Sequence, residues 1–352
     1  MADTGSLIHM SLADLQPRAP VYGFGIQKGG EGKSTTTHHV ARLLAGCYSI
    51  RTLVLDCAQP GTTTAALAGV PGQQLATGLP ELIIRMAMAM GDGTPGPADL
   101  DAEARAALAG SGDPQFALPL HIADRLDLLP YRPNLARAIR TVDTPDVLLR
   151  VLRPLLPQYD IVLIDYPPDL TQLMANCLFA TDVIITPLRP TAESLEGAEE
   201  FFGALARASQ LRETIMGIPT RLGGILLTQV DARSRQWRDA VHTLRRATHV
   251  NGLDITYKLL PFAIKRSASY PQAYQNGVPV WQRGGAYTPP ANPDIWAGYV
   301  ALTEWILRDA GLERFIKKKT GVARIARSVS VLNPWEIAFE ELAGIASEGG
   351  EP

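Results

Sequence analysis

Residues 28–35 read KGGEGKST, between an apolar run, VYGFGI (21–26), and a helix-forming stretch over 34–44. Gly29, Gly30 and Gly32 carry no side chains, so their backbone N–H groups can close around an anion. The helix that begins near Lys33 adds its positive N-terminal end to the same place. In a loop of this kind Lys33 reaches the β- and γ-phosphates of a nucleotide, the Ser34 hydroxyl ligates Mg²⁺, and Thr35 donates to the α-phosphate. A glycine-rich turn could contain Gly-Lys-Ser by coincidence. The strand before, the helix after, and a later apolar strand ending in Asp165 favour the phosphate loop.

A strand–loop–helix unit of this type belongs in an α/β chain, and the rest of the sequence fits one. Apolar strands are expected at 21–26, 52–57, 127–130, 160–168, 183–188, 223–230 and 256–261. Helices are expected at 34–44, over GLPELIIRMAMAM, around 143–153, at 193–209, 233–247 and 294–309. Apolar strands alternating with helices imply a mostly parallel twisted sheet with helices on both faces. Residues 91–114, rich in Gly, Pro, Ala and Asp, read as a surface insertion with a short helix at 99–109. The expected organisation is an N-terminal arm (1–19), one ATPase domain (20–312) and a C-terminal tail (313–352), basic at 314–327 and acidic at 335–352.

Composition excludes several classes. The 352 residues are 46% hydrophobic and 19% charged, which suits a globular chain with a sizeable core. Net charge is −2, so any affinity for nucleic acid must come from a local patch. Cys47, Cys57 and Cys177 form no CxxC pair, which argues against a disulfide framework or a cysteine-ligated cluster. The first residues lack a signal-peptide pattern, and no stretch approaches the ~20 apolar residues of a membrane span. The expected location is cytoplasmic.

The loop departs from the general GxxxxGK[ST] pattern, with Gln27 at its first position and an extra lysine, Lys28. In this it resembles the deviant Walker A ATPases, the ParA/MinD group, over about residues 21–282. The resemblance implies ATP and Mg²⁺ as cofactors, bound by Lys28, Gly29, Gly30, Glu31, Gly32, Lys33, Ser34 and Thr35. It implies that Lys28 crosses a dimer interface to the phosphates of the partner's nucleotide. DIVLIDYPPDL resembles the family's Walker B strand, placing Asp165 near the magnesium through water. GGILLTQVDAR and LLPFAIKRSASY resemble the segments around the base, making Gln229, Pro261 and Phe262 adenine-pocket candidates.

After the second strand the family usually shows two aspartates one residue apart. Here the run is Asp56-Cys57-Ala58. Asp56 suits the magnesium's water shell, so Lys28, Lys33, Asp56 and Asp165 are the catalytic candidates and Ser34, Asp56 and Asp165 the metal candidates. Ala58 falls where the second carboxylate would orient or deprotonate the attacking water, and alanine does neither. Three explanations stay open: a shifted turn in which another group serves, intrinsically slow hydrolysis, or a replacement that traps the ATP state.

The helix RSRQWRDAVHTLRRATH places Arg235, Arg238, His242 and Arg245 on one face and Trp237, Val241 and Leu244 on the other. Arg246, Lys258, Lys265, Arg266 and the 314–327 run, with Lys317, Lys318 and Lys319, extend the basic surface. Phosphate contacts from such residues give sequence-independent, salt-sensitive DNA binding, and no helix-turn-helix or zinc signature suggests base reading. PWEIAFEELAGIAS sets Trp335, Phe339, Leu342 and Ala346 at helical spacing among glutamates, unlike a basic membrane-targeting helix.

The expectation is therefore a ParA-type partition or positioning ATPase. It would dimerise on ATP, associate with the nucleoid through non-specific DNA binding, and answer to a ParB-like or cargo adaptor protein. A hydrolysis-weak ATP-bound switch or filament-forming scaffold is the alternative, motivated by Ala58. A MinD-like membrane-associated ATPase is the third.

Overall fold

The computed structural model describes residues 18–75, 78–89, 119–142, 144–266, 293–318 and 333–334. The expected insertion at 91–114, most of the N-terminal arm, Lys319 and the acidic tail with Trp335, Phe339, Leu342 and Ala346 lie outside the described residues.

Eight strands form one sheet in the order β10-β7-β6-β1-β5-β2-β4-β3. They are β1 (Val21–Phe24), β2 (Thr52–Asp56), β3 (Leu120–Ala123), β4 (Leu126–Leu129), β5 (Ile161–Asp165), β6 (Val183–Leu188), β7 (Arg221–Val230) and β10 (Leu259–Lys265). A separate two-stranded ribbon joins β8 (His249–Val250) to β9 (Leu253–Asp254). All pairings in the main sheet are parallel except β3 with β4.

Both faces are covered, and the strands alternate between two cores as a doubly packed sheet requires. Val21, Leu53, Leu55, Val162 and Ile164 pack into one core with α3 (Leu79–Ala89), α4 (Leu135–Val142), α5 (Val147–Leu152), α6 (Gln172–Ala180), α7 (Ala192–Met216) and α8 (Arg235–Arg246). Tyr22, Phe24, Val54, Ile161 and Leu163 face the other, under α1 (Lys33–Tyr48), α2 (Thr62–Ala68) and α9 (Pro293–Asp309).

The sequence expectations need several corrections of element, and α2, α6 and the β8–β9 ribbon have no expected counterpart. The 143–153 helix starts later, at Val147, behind Pro145 and Asp146, and the separate helix α4 precedes it. The strand expected at 256–261 begins at Leu259, because Tyr257 turns with φ 56°. The helix at 193–209 continues to Met216, where Gly217 caps it with φ 72°. The antiparallel edge strand β3 was not anticipated: its four residues are too short to stand out from their neighbours.

Three parallel strands, β1, β5 and β2, set the geometry at the sheet's centre. Phe24 pairs in register with Asp165, and Asp56 pairs with the same Asp165. Tyr166, immediately after β5, turns its ring under β1. A Cβ on Gly23 would lie 2.4 Å from that ring, so no side chain fits there. This close approach fixes where β1 ends and its following loop begins.

Candidate functional site

The loop after β1 and the ends of β2 and β5 meet at the carboxyl edge of the sheet, where ligands bind in open α/β sheets. Gly30 and Gly32 adopt φ 81° and 91°, and Gly32 caps α1 directly. A Cβ on Gly29 or Gly30 would meet nothing within 4 Å, so their backbone faces open space. The loop backbone is open on that side, with α1's N-terminus behind it.

Lys33 is buried, and its Nζ donates to the Lys28 carbonyl at 2.5 Å. Burial lowers its pKa, while the charges of Asp165, Glu31 and Asp169 pull the other way. Beside it stand Asp56 and Asp165, both fully buried. Burial first, then the neighbouring Asp165 carboxylate, drives the Asp56 pKa up. Burial likewise raises Asp165, against the Ser34 and Thr63 hydroxyls and the Lys33 charge. Two adjacent carboxyls held above their ordinary range are a pair that a divalent cation would relieve. Asp165 Oδ1 has no hydrogen-bond partner among the described residues. The donor set of two carboxylates and the Ser34 hydroxyl suits a hard cation such as Mg²⁺.

The loop's other side is tied down by residues far away in sequence. Glu31 is completely buried; its carboxylate accepts the Arg189 N–H at 2.7 Å and the Ser194 hydroxyl at 2.8 Å. Its side chain thus anchors the loop, while its backbone stays within the 28–35 run. Thr228 donates to the Glu31 carbonyl at 2.8 Å. Gln229, with φ 52°, donates to the Gly30 carbonyl at 2.7 Å and so sits against the loop's rim. Pro261 is exposed, whereas Phe262 is buried in the core beneath α9. Its ring packs on the α9 side of β10.

Lys28 Nζ pairs with Glu193 Oε1 at 2.9 Å and lies 3.8 Å from Glu31 Oε1. In the single chain its charge is therefore held at the start of α7. Ala58 is buried where a second carboxylate was expected to be missing, and its N–H donates to Asp56 Oδ1 at 3.0 Å. The other Asp56 oxygen accepts the Thr64 N–H at 2.6 Å. Sequence reading missed Thr63, whose hydroxyl donates to Asp165 at 2.7 Å, and Thr64, whose hydroxyl accepts the Tyr131 N–H at 2.8 Å. Both follow the Gln59-Pro60-Gly61 turn, and only the fold brings them to their partners.

The basic candidates divide. On α8, Arg235, Arg238 and Arg246 are exposed and Arg245 is half-buried, while Trp237, Ala240, Val241 and Leu244 fill the core side. Lys265 and Arg266 lie at the carboxyl end of β10, the same edge as the phosphate loop. Lys317 and Lys318 fall in a short 3-10 turn after α9, away from α8 in the chain. No helix among the described residues is long and apolar enough to cross a membrane.

Residues 21–216, more than half the chain, match the family described as an AAA domain. The chromosome-partitioning ATPase Soj of Thermus thermophilus is 30% identical over 209 residues, 59% of this chain and 68% of Soj. The chain belongs to the ParA/MinD family of P-loop ATPases. Solved structures of the family share the fold. An aspartate-to-alanine variant of McdA from Cyanothece, complexed with ATP, superimposes with a TM-score of 0.61 at 20% identity, over 83% of this chain and 97% of McdA. MinD from Pyrococcus horikoshii with Mg-ADP gives 0.56 at 16% identity, over 84% and 98%. As in those ParA/MinD relatives, the sheet is mostly parallel with helices on both faces.

Proposed function

We propose that this ParA/MinD-family chain binds Mg²⁺–ATP at residues 28–35 and acts as a partition or positioning ATPase. One observation carries the reading: the open glycine backbone, the Lys33 ammonium and the buried Asp56–Asp165 pair meet at the carboxyl edge of the sheet. The glycine N–H groups and Lys33 bind and orient the phosphates, Lys33 giving up its bond to the Lys28 carbonyl to do so. Ser34, Asp56 and Asp165 hold the metal, directly or through its water. A magnesium ion held there would supply charge neutralisation to the phosphates. Gln229 and Pro261 flank the base side.

In the dimeric reading, ATP brings two copies together and Lys28 exchanges Glu193 for the partner's phosphates. The exposed α8 arginines with Lys265 and Arg266 then contact DNA phosphates without reading sequence, which places the protein on the nucleoid. A ParB-like or cargo adaptor protein regulates release. Soj and McdA relatives support the class of process and leave the cargo open.

Ala58 favours a second reading, a slow or non-cycling ATP-bound switch. Its methyl offers no group to position or deprotonate water, and its N–H is already engaged by Asp56. Light scattering or sedimentation with ATP and Mg²⁺, alongside turnover with DNA present, tests both. ATP-dependent dimers that Lys28→Ala abolishes support the first reading, and equal dimerisation of that variant sinks the cross-subunit role. Sustained turnover sinks the switch. Tight ATP binding without turnover supports it.

A further inference from the structure

Thr63 is fully buried in the first turn of α2. Its hydroxyl donates to Asp165 Oδ2 at 2.7 Å and stands 3.3 Å from the Ser34 carbonyl. A hydroxyl has one proton, and the nearer, charged acceptor takes it. The contact therefore spends Asp165's Oδ2 on a neutral neighbour and leaves Oδ1 as the oxygen without a partner among the described residues. Valine has the same shape as threonine and would fill the same space, so packing alone does not call for the hydroxyl.

The adjacent residue does related work. Thr64 gives its N–H to Asp56 Oδ2 at 2.6 Å, and its own hydroxyl is fixed by the Tyr131 N–H. Two consecutive threonines thus hold the two acids that stand in register on β2 and β5. Asp56 takes both the backbone N–H and the hydroxyl of Thr64, whereas Asp165 takes side-chain hydroxyls, from Thr63 on Oδ2 and from Ser34. Partners of this outer kind orient cation-binding groups and set affinity.

We infer that Thr63 is a positioning residue for the divalent cation: by fixing Oδ2 of Asp165 it commits Oδ1 to the cation and its water. This rests on the reading of the loop as a Mg²⁺–ATP site. Loss of the hydroxyl removes the hold on Oδ2 and leaves the carboxylate to the Ser34 hydroxyl, the group that itself belongs to the metal's donor set, so Oδ1 is no longer preset from the α2 side. The effect falls on the metal and not on the phosphates, because Lys33 and the glycine N–H groups do not touch Thr63 in the described contacts.

The test compares the full-length wild type with Thr63→Val and Thr63→Ser. Binding of a fluorescent ATP analogue is titrated with Mg²⁺ and again in EDTA, and Mn²⁺ binding to the nucleotide complex is followed by electron paramagnetic resonance. Expected for Thr63→Val is a loss of Mn²⁺ and Mg²⁺ affinity of about tenfold or more. Affinity in EDTA should stay within about twofold, as for an uncoupled site, and Thr63→Ser should restore the wild-type metal dependence. Unchanged metal affinity in Thr63→Val overturns the inference. So does an equal loss with and without metal, or a Thr63→Ser variant as weak as Thr63→Val. If Thr63→Val does not fold, Thr63→Ala replaces it in the same comparison. A wild type that gains nothing from Mg²⁺ defeats the nucleotide-site reading itself, and the inference with it.

Discussion

At the carboxyl ends of β2 and β5, Asp56 and Asp165 sit side by side, fully buried, with one oxygen lacking a partner. Just before the amino ends of the same two strands, Arg51 and Asp160 form an exposed pair. There the Arg51 Nη2 and Nε donate to Asp160 at 2.8 and 3.1 Å, and the Arg51 N–H adds a third bond at 2.9 Å. Nearby, Asp127 takes the Tyr159 hydroxyl at 2.9 Å on one oxygen and His121 at the same distance on the other. Burial pushes the Asp160 carboxyl up, but the Arg51 bonds and charge bring it below its ordinary value. Both ends carry acids on neighbouring strands. One end pairs the acids Asp160 and Asp127 with exposed partners and is finished; the other crowds two buried carboxyls beside the single Lys33 ammonium and has room for a further cation. Strain of this kind marks the working end of the sheet.

The sharpest test of the contrast is Lys33→Ala, which removes the buried cation facing the phosphates. ATP affinity should fall by about 2–5 kcal/mol, read by titration of a fluorescent analogue. Retained affinity would break the assignment of the carboxyl edge. Next comes Asp165→Asn, which removes one of two crowded charges. It should stabilise the metal-free protein by about 1–4 kcal/mol, as replacing buried charge often does, while eliminating the benefit of Mg²⁺. Denaturant unfolding with and without Mg²⁺ reads both, and a destabilised metal-free variant would show that the pair is not strained.

His38 sharpens the picture with pH. It lies buried on α1 behind the loop, and burial, then Arg42, push its pKa down to about 3. The unfolded chain takes up this proton below about pH 6.5, whereas the folded chain does not until about pH 3. Its contribution is therefore complete above pH 6.5 and is lost as pH falls through that window. The Asp56–Asp165 pair works in the opposite sense, taking up protons in the folded state first. The wild type minus His38→Leu stability difference isolates the histidine and should shrink by about 1.4 kcal/mol per pH unit below 6.5. A flat difference would mean His38 is charged in the fold. The smallest effect belongs to the finished end: Arg51→Ala should cost about 0.2–1 kcal/mol and leave ATP affinity untouched. A loss of ATP affinity there would erase the distinction between the two ends.

The phosphate loop was legible in the sequence because its meaning is local: three glycines, a lysine and a serine between a strand and a helix. Asp56 and Asp165 were legible as the polar last residues of apolar runs. Glu31 was not, since its partners Arg189 and Ser194 arrive from more than 150 residues away. Which core Phe262 joins was not legible, because a strand buried on both sides shows no alternation by which to tell its faces apart. Thr63 was overlooked among three consecutive threonines, any of which could have capped α2. Its role depends on the parallel pairing that brings β5 beside β2.

Helix α7 begins at the phosphate loop, where Glu193 and Ser194 grip Lys28 and Glu31, and runs 25 residues before Gly217 ends it. At ~1.5 Å per residue it is a rod about 37 Å long. A tilt of about one degree at the gripped end displaces the far end by about 0.6 Å along that length. An apolar cleft of about 290 Å³ lies along this rod, bounded on one side by Met174 and Leu178 of α6 and on the other by Ala204, Ala208 and Leu211. One rigid element therefore borders both sites: its first turn holds the phosphate loop, and a later stretch of the same helix forms one wall of the cleft.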